Sequence, residues 1–166
     1  MNSMKSQFND KIRFPMVGVY NTHFPTRVYK KLECASKNDI SSFFSKKNSW
    51  NLDEIVTTIP HREAVATLII PPGSTIVRSR DSFGEMRTDK VYVEKIEILG
   101  NDDSHADDYV CESPTYGDTI YKVGDIIEPE FPLDTDILKT CTSGIHFFPL
   151  KEQAENYKCP NNILIF

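Results

Sequence analysis

A chain of 166 residues and 19.0 kDa, 39% apolar and with ten phenylalanines and seven tyrosines, is long enough to fold as one domain. It buries roughly 70% of its unfolded surface without metal or disulfide staples. The net charge of −5 and pI near 5.4 exclude a general nucleic-acid binder, which needs a concentrated basic face. No window approaches the ~18 apolar residues of a helical membrane span, and no apolar run of signal-peptide length opens the chain, so the expectation is a soluble protein not secreted by a standard route.

Residues 1–12 read as a flexible N-terminal segment. The stretches "MVGVYNT" and "RVYKKLECA" have the β-branched and aromatic content of first strands, with His23, Phe24 and Pro25 in their connection. Three cationic groups, at Arg27, Lys30 and Lys31, at Lys46 and Lys47, and at Arg78, Arg80 and Arg87, are each interrupted by acids or hydroxyls, and read as solvated surface. "NDISSFFSKKNSW" predicts a helix with Asn38 or Asp39 as N-cap and Ile40, Phe43 and Phe44 as its apolar stripe.

Ala64 to Ile70 is apolar on both faces and predicts a central strand, ended by Pro71 and Pro72, which cannot donate to a ladder. A turn at Pro71-Pro72-Gly73 leads to a second strand near Ser74 to Arg78. Lys90 to Leu99 is a strand with a defect of phase: Val91 and Val93 share one face, Ile96 and Ile98 the other. Either a β-bulge near Glu94-Lys95 restores the register, or the strand is buried on both sides. The acidic stretch 101–109 carries four aspartates but lacks the spacing and glycine turn of an EF-hand, and reads as a solvated loop with no metal.

Thr119 to Val123 predicts a strand, with Gly124-Asp125 as turn or bulge and a continuation through Ile126 and Ile127 up to Pro129 and Pro132. "GIHFF" alternates as a strand, Ile145 and Phe147 on one face, His146 and Phe148 on the other. A short helix follows Pro149, with Leu150, Ala154 and Tyr157 on its buried stripe. No repeat or linker divides the chain. The fold class is α+β: one mainly β-sheet domain over 1–166, with two short helices packed on the sheet.

The four cysteines, Cys34, Cys111, Cys141 and Cys159, show no CxxC spacing and read as free thiols of a reducing compartment, with no zinc site. The segment "TCTSGIHFFPLKEQAENY" holds the catalytic candidates, Cys141 and His146. A dyad would need the Thr142-Ser143-Gly144 turn to fold the two together, and an oxyanion donor besides. The plainer reading makes His146 a hydrogen-bonded histidine packed among phenylalanines and Gly144 a point of close backbone approach.

Taken in order, "VYKKLEC", "ATLIIPPGSTIVR", "GEMRTDKVYVEKI", "YKVGDIIEPE" and "CTSGIHFFPLKEQAENY" resemble an uncharacterised domain found alongside pentapeptide repeats in giant-virus proteins, over about Val28 to Tyr157. The resemblance implies viral origin, a cytoplasmic place in the host cell or the virion interior, and no established catalytic mechanism. This chain holds no pentapeptide array. The later part, the "YKVG" strand followed by Asp134 to Asp136, Cys141 and "GIH", is also similar to the rIIB proteins of T-even phages.

"SGIHFFPLKEQAENY" is similar to a strand–helix element of poly(ADP-ribose) polymerases. That similarity implies an NAD cleft formed by Tyr29, Lys30, Gly144 and His146, with His146 where the family has a nicotinamide-stacking tyrosine. The chain departs from the family in lacking an acidic residue after Tyr157, and Glu155 lies in the helix. The preferred reading is an accessory domain that binds a protein partner, without a cofactor; the oligomeric state is not legible. The two readings differ in what they require: a concave pocket where His146 meets polar groups of other strands, or an exposed apolar patch.

Overall fold

The computed structural model describes residues 14–46, 60–100, 105–114 and 119–158, so the expected flexible segment 1–12 lies outside the described residues. The elements are β1 (Gly18–Asn21), β2 (Thr26–Ser36), α1 (Lys37–Lys46), β3 (His61–Ile70), β4 (Thr75–Arg78), β5 (Met86–Thr88), β6 (Val91–Ile98), a 3-10 turn (Ala106–Asp108), β7 (Tyr109–Glu112), β8 (Ile120–Tyr121), β9 (Ile126–Ile127), β10 (Ile145–Phe147) and α2 (Lys151–Asn156). They form two antiparallel sheets, six strands in the order β8-β7-β2-β3-β6-β9 and four in the order β1-β4-β5-β10. The chain is a mainly β-sheet α+β domain.

Successive strands change sheet at shared corners, between β1 and β2, β3 and β4, and β5 and β6. Such corners let two sheets enclose one core. The Pro71-Pro72-Gly73 turn is one of them and joins no hairpin. Thr22 clamps it: its N–H donates to Ser74 O at 2.9 Å, its carbonyl accepts from Gly73 N–H at 2.8 Å, and its hydroxyl donates to Pro71 O at 2.8 Å.

β3 is central, flanked by β2 and β6. Opposite β6 the register shifts: Thr67 faces Lys95 and Leu68 faces Val93, leaving Glu94 as the extra residue. This bulge brings Val91, Val93, Ile96 and Ile98 to one buried face with Ala64, Ala66, Leu68 and Ile70. The outer face of β3 is covered as well, since Val65 is fully buried and α2 packs on β2 and β3 through Ala154.

The expected single strand through Thr119–Ile127 is two strands at opposite edges of the six-stranded sheet. Gly124, at φ +96°, makes the turn between them. Five Cα steps reach at most ~18 Å, whereas a flat sheet would set its outer strands ~24 Å apart. The sheet therefore curls towards a barrel, and its concave face carries the core.

Other expectations need correction. α1 starts at Lys37, with Ser36 Oγ facing the Asp39 N–H at 3.5 Å, so Ser36 holds the cap position assigned to Asn38 or Asp39. The side chains of Phe43 and Phe44 lie outside the described residues. β5 and β7 are strands with no anticipated pattern. Of the acidic loop, 101–104 lie outside the described residues; the rest forms the 3-10 turn with Asp107 and Asp108 exposed.

Two of the four expected free thiols are joined. Cys34 of β2 and Cys111 of β7 are cross-strand partners with Cα atoms 4.0 Å apart, bonded as a disulfide. Sequence spacing was blind to this because strand pairing joins positions 77 residues apart. Cys141 is free and exposed; Cys159 lies outside the described residues.

Candidate functional site

The site forms where the two sheets meet, and its frame is a buried arginine. Arg87 of β5 lies opposite His146 of β10 and is 1% exposed, which corrects its reading as solvated surface. Its burial is possible because its donors find oxygen: Nε donates to Asp134 O, Nη2 to Asp136 O and Nη1 to Lys139 O, each at 2.8 Å, and Nη1 also to Ser79 Oγ. Burial lowers its pKa, opposed by Asp134 and Asp136.

The loop around Arg87 is further wound by its own aspartates. Asp134 Oδ1 accepts from Asp136 N–H and Asp136 Oδ1 from Leu138 N–H, both at 2.9 Å, while Thr142 Oγ1 donates to Asp134 Oδ2 at 2.7 Å. The Thr142 hydroxyl and the Asp136 N–H hold the Asp134 carboxyl below its usual range. Gly144 closes the loop at φ +143°, and a Cβ there would lie 2.7 Å from Leu133 Cδ1 and 3.1 Å from Arg87 Cβ. The close approach expected at Gly144 is present.

His146 stands between two acceptors. Nε2 lies 2.8 Å from Thr142 O and Nδ1 lies 3.1 Å from Glu85 Oε1. Its carbonyl accepts from Lys30 Nζ at 2.8 Å. Lys30 is on the concave face of β2 between Val28 and Leu32, 6% exposed, with its nitrogen 5.9 Å from the centroid of the Tyr121 ring. Burial pushes its pKa down to about 8, against the opposing charge of Glu85.

Lys31, on the other face, is also buried; it donates to Glu155 O at 2.8 Å and Tyr157 O at 3.0 Å and pairs with Glu63 at 3.0 Å. Lys30 and Lys31 are thus neither of them solvated surface.

Lys30, Gly144 and His146 line one cleft with Ser113, Thr119 and Glu130, a space of about 30 Å³. That volume admits one or two waters, whereas cofactor sites run to roughly 300–1,000 Å³. Tyr29 does not join them: its neighbours Val28 and Lys30 occupy the concave face, and its main chain pairs with Phe148 through bonds of 2.8 and 2.7 Å. Cys141 is exposed and is not among the residues of the cleft.

A second cleft, about 140 Å³, opens at one end of the curled sheet between β6, the 3-10 turn, β7 and β8. Ile96, Tyr109, Cys111 and Tyr121 form its walls together with the charged Lys37, Asp107 and Lys122, and exposed Ile120 and Val123 form its lip. On the strand that follows, Ile126 is 65% exposed and pairs across strands with exposed Tyr92. Among the described residues no three His, Cys, Asp or Glu side chains gather as metal ligands, and no helix is long and apolar enough to cross a membrane.

Residues 10–154 match a family model described as "Family of unknown function (DUF5758)". The chain belongs to this family. Three relatives of similar length come from Acanthamoeba polyphaga mimivirus. "Uncharacterized protein L223" is 37% identical over 145 residues, 84% of this chain and 88% of the relative. "Uncharacterized protein L796" is 32% identical over 156 residues, 91% and 87%. "Uncharacterized protein L812" is 37% identical over 125 residues, 72% and 71%. No solved structure matches the chain. The DUF5758 match spans both clefts and the Arg87 frame, so the geometry above is that of the matched region.

Sequence reasoning missed Arg87, Ser113 and Tyr121 as residues of the site. Arg87 sits in a three-residue strand of mixed polarity, and only the tertiary supply of carbonyls makes its burial tolerable. Tyr121 could have been suspected from its alternation with Ile120.

Proposed function

We propose that this DUF5758 domain is a protein-interaction module, acting as an accessory component of a giant virus in the host cytoplasm or the virion interior. One observation carries the reading: the cleft of mixed polarity at the end of the curled sheet, with exposed Ile120 and Val123 on its lip. Exposed apolar side chains at the mouth of a cleft are costly in water and are an ordinary mark of a contact surface. A volume of about 140 Å³ suits a single leucine- or phenylalanine-sized anchor from the partner. An accessory domain of this kind also suits the resemblance to domains that accompany pentapeptide repeats.

The NAD reading receives less support. Both His146 ring nitrogens are engaged, the Tyr29 side chain lies away from the cleft, and about 30 Å³ is too little for a nucleotide.

A photocrosslinking residue at Val123, expressed in infected cells, tests the proposal, with one at exposed Phe24 as control. The expected result is a discrete adduct at Val123 that Ile120→Asp removes. Equal labelling at both positions, or none, would count against it.

A further inference from the structure

The Lys30 cleft holds an unusual concentration of buried donors. Lys30 is 6% exposed, Ser113 7% and Tyr121 4%, and all three line the same space. An ammonium carries three N–H donors, and among the described residues Lys30 meets one acceptor, His146 O at 2.8 Å. The hydroxyls of Ser113 and Tyr121 meet none there. Buried polar groups are nearly always paired with protein or ordered water, so donors converging without acceptors among the described residues mark a place where a water or the oxygen of a ligand is taken up.

The frame fixes these donors. Cys111, tethered to Cys34, stands two residues before Ser113, whose N–H donates to Thr119 O at 3.4 Å and so turns the chain towards β8 and Tyr121. Lys30 is held by β2 and by the His146 carbonyl.

We propose that this cleft binds a carboxylate, with Lys30, Ser113 and Tyr121 as its donors. A carboxylate offers two oxygens with about four acceptor positions, matching one ammonium and two hydroxyls. Among the described residues Lys30 is the one ammonium lining the cleft, and Glu85 and Glu130 close by oppose further negative charge, so the site takes at most a monoanion and disfavours phosphate. About 30 Å³ seats the carboxylate head alone, so the rest of the ligand leaves by the open side, along Phe131. The site shares Tyr121 with the wall of the second cleft, but of the two Lys30 and Ser113 line this one alone, and the proposal does not depend on the interaction reading.

The test is titration of the whole protein, by thermal shift and by amide chemical shifts, with acetate, with a short peptide bearing a free terminal carboxylate, and with its amidated form. Chloride and phosphate at matched ionic strength are controls. The expected result is saturable binding of acetate or the free-acid peptide, weakened at least tenfold by Lys30→Met and also weakened by Ser113→Ala, which keeps the lysine should the first variant fail to fold. Tighter binding of the free-acid peptide than of acetate, with none by the amide, assigns the carboxylate to a protein terminus. Equal binding of acetate assigns it to a small molecule. No saturable response, an equal response to phosphate, or binding unaltered in both variants overturns the proposal.

Discussion

Replacing Lys30 by methionine keeps an unbranched chain of similar length and removes the amine, so it isolates the linkage between that amine and folding. The unfolded lysine has a pKa near 10.5, while burial lowers the folded value to about 8. Below pH 8 both states are protonated and the native state bears the cost of a buried charge. Between 8 and 10.5 the unfolded chain binds more protons than the native one, so stability rises with pH through this window. Integrating over one such group from pH 7 to pH 10 gives the wild type a gain of about 2–3 kcal/mol relative to Lys30→Met. Glu85, His146, Tyr121, Glu130 and Lys31 line the clefts around the amine and are present in both chains. Tyr121 is itself pushed upward by burial and stays neutral across the window. The mutant leaves His146 O without its donor, a cost of about 1–3 kcal/mol that is independent of pH and cancels. Urea unfolding of both chains at pH 7 and pH 10 measures the difference. A gap between them that stays constant within about 0.5 kcal/mol would refute the assignment of Lys30 as a buried, depressed amine.

Three further outcomes are expected. Leu68→Ala, in the fully buried centre of β3, should cost about 2–5 kcal/mol in denaturant unfolding, and a shift too small to resolve would displace that strand from the core. Gly144→Ala should destabilise by about 1–3 kcal/mol, because its φ of +143° disfavours a side chain and the added carbon meets Leu133 and Arg87; near-neutral stability would contradict the wound loop. Alkylation in denaturant without reductant should label Cys141 but neither Cys34 nor Cys111, and reduction of that bond, with a sequence separation of 77, should cost about 4 kcal/mol. Full labelling of Cys34 without reductant would remove the disulfide from the account.

Local pattern carried much of the fold. The clash of phase between Val91, Val93 and Ile96, Ile98 left two solutions, a bulge near Glu94-Lys95 or a strand buried on both faces, and the bulge at Glu94 is the one the chain adopts. The alternation of "GIHFF" likewise put Ile145 and Phe147 on one face, which is the buried one. What stayed hidden is what long-range pairing decides. Tyr121 and Ile127 read as one interrupted strand, yet they close opposite edges of a curled sheet. Arg87, Lys30 and Lys31 read as surface because charge predicts solvent, until carbonyls from distant loops replace water. Cys34 and Cys111 become partners through the β2–β7 register. In the candidate site, Lys30, Gly144 and His146 do converge, while Cys141 and the Tyr29 side chain stand apart.

The interaction surface is tested most directly by calorimetry between the purified domain and the partner captured at Val123, using wild type and Val123→Asp. A charge placed on the lip of the 140 Å³ cleft should weaken binding by about 2 kcal/mol or more, roughly thirtyfold, with the unfolding midpoint unchanged. Unaltered affinity in a folded Val123→Asp protein would contradict the claim that the domain works through this cleft.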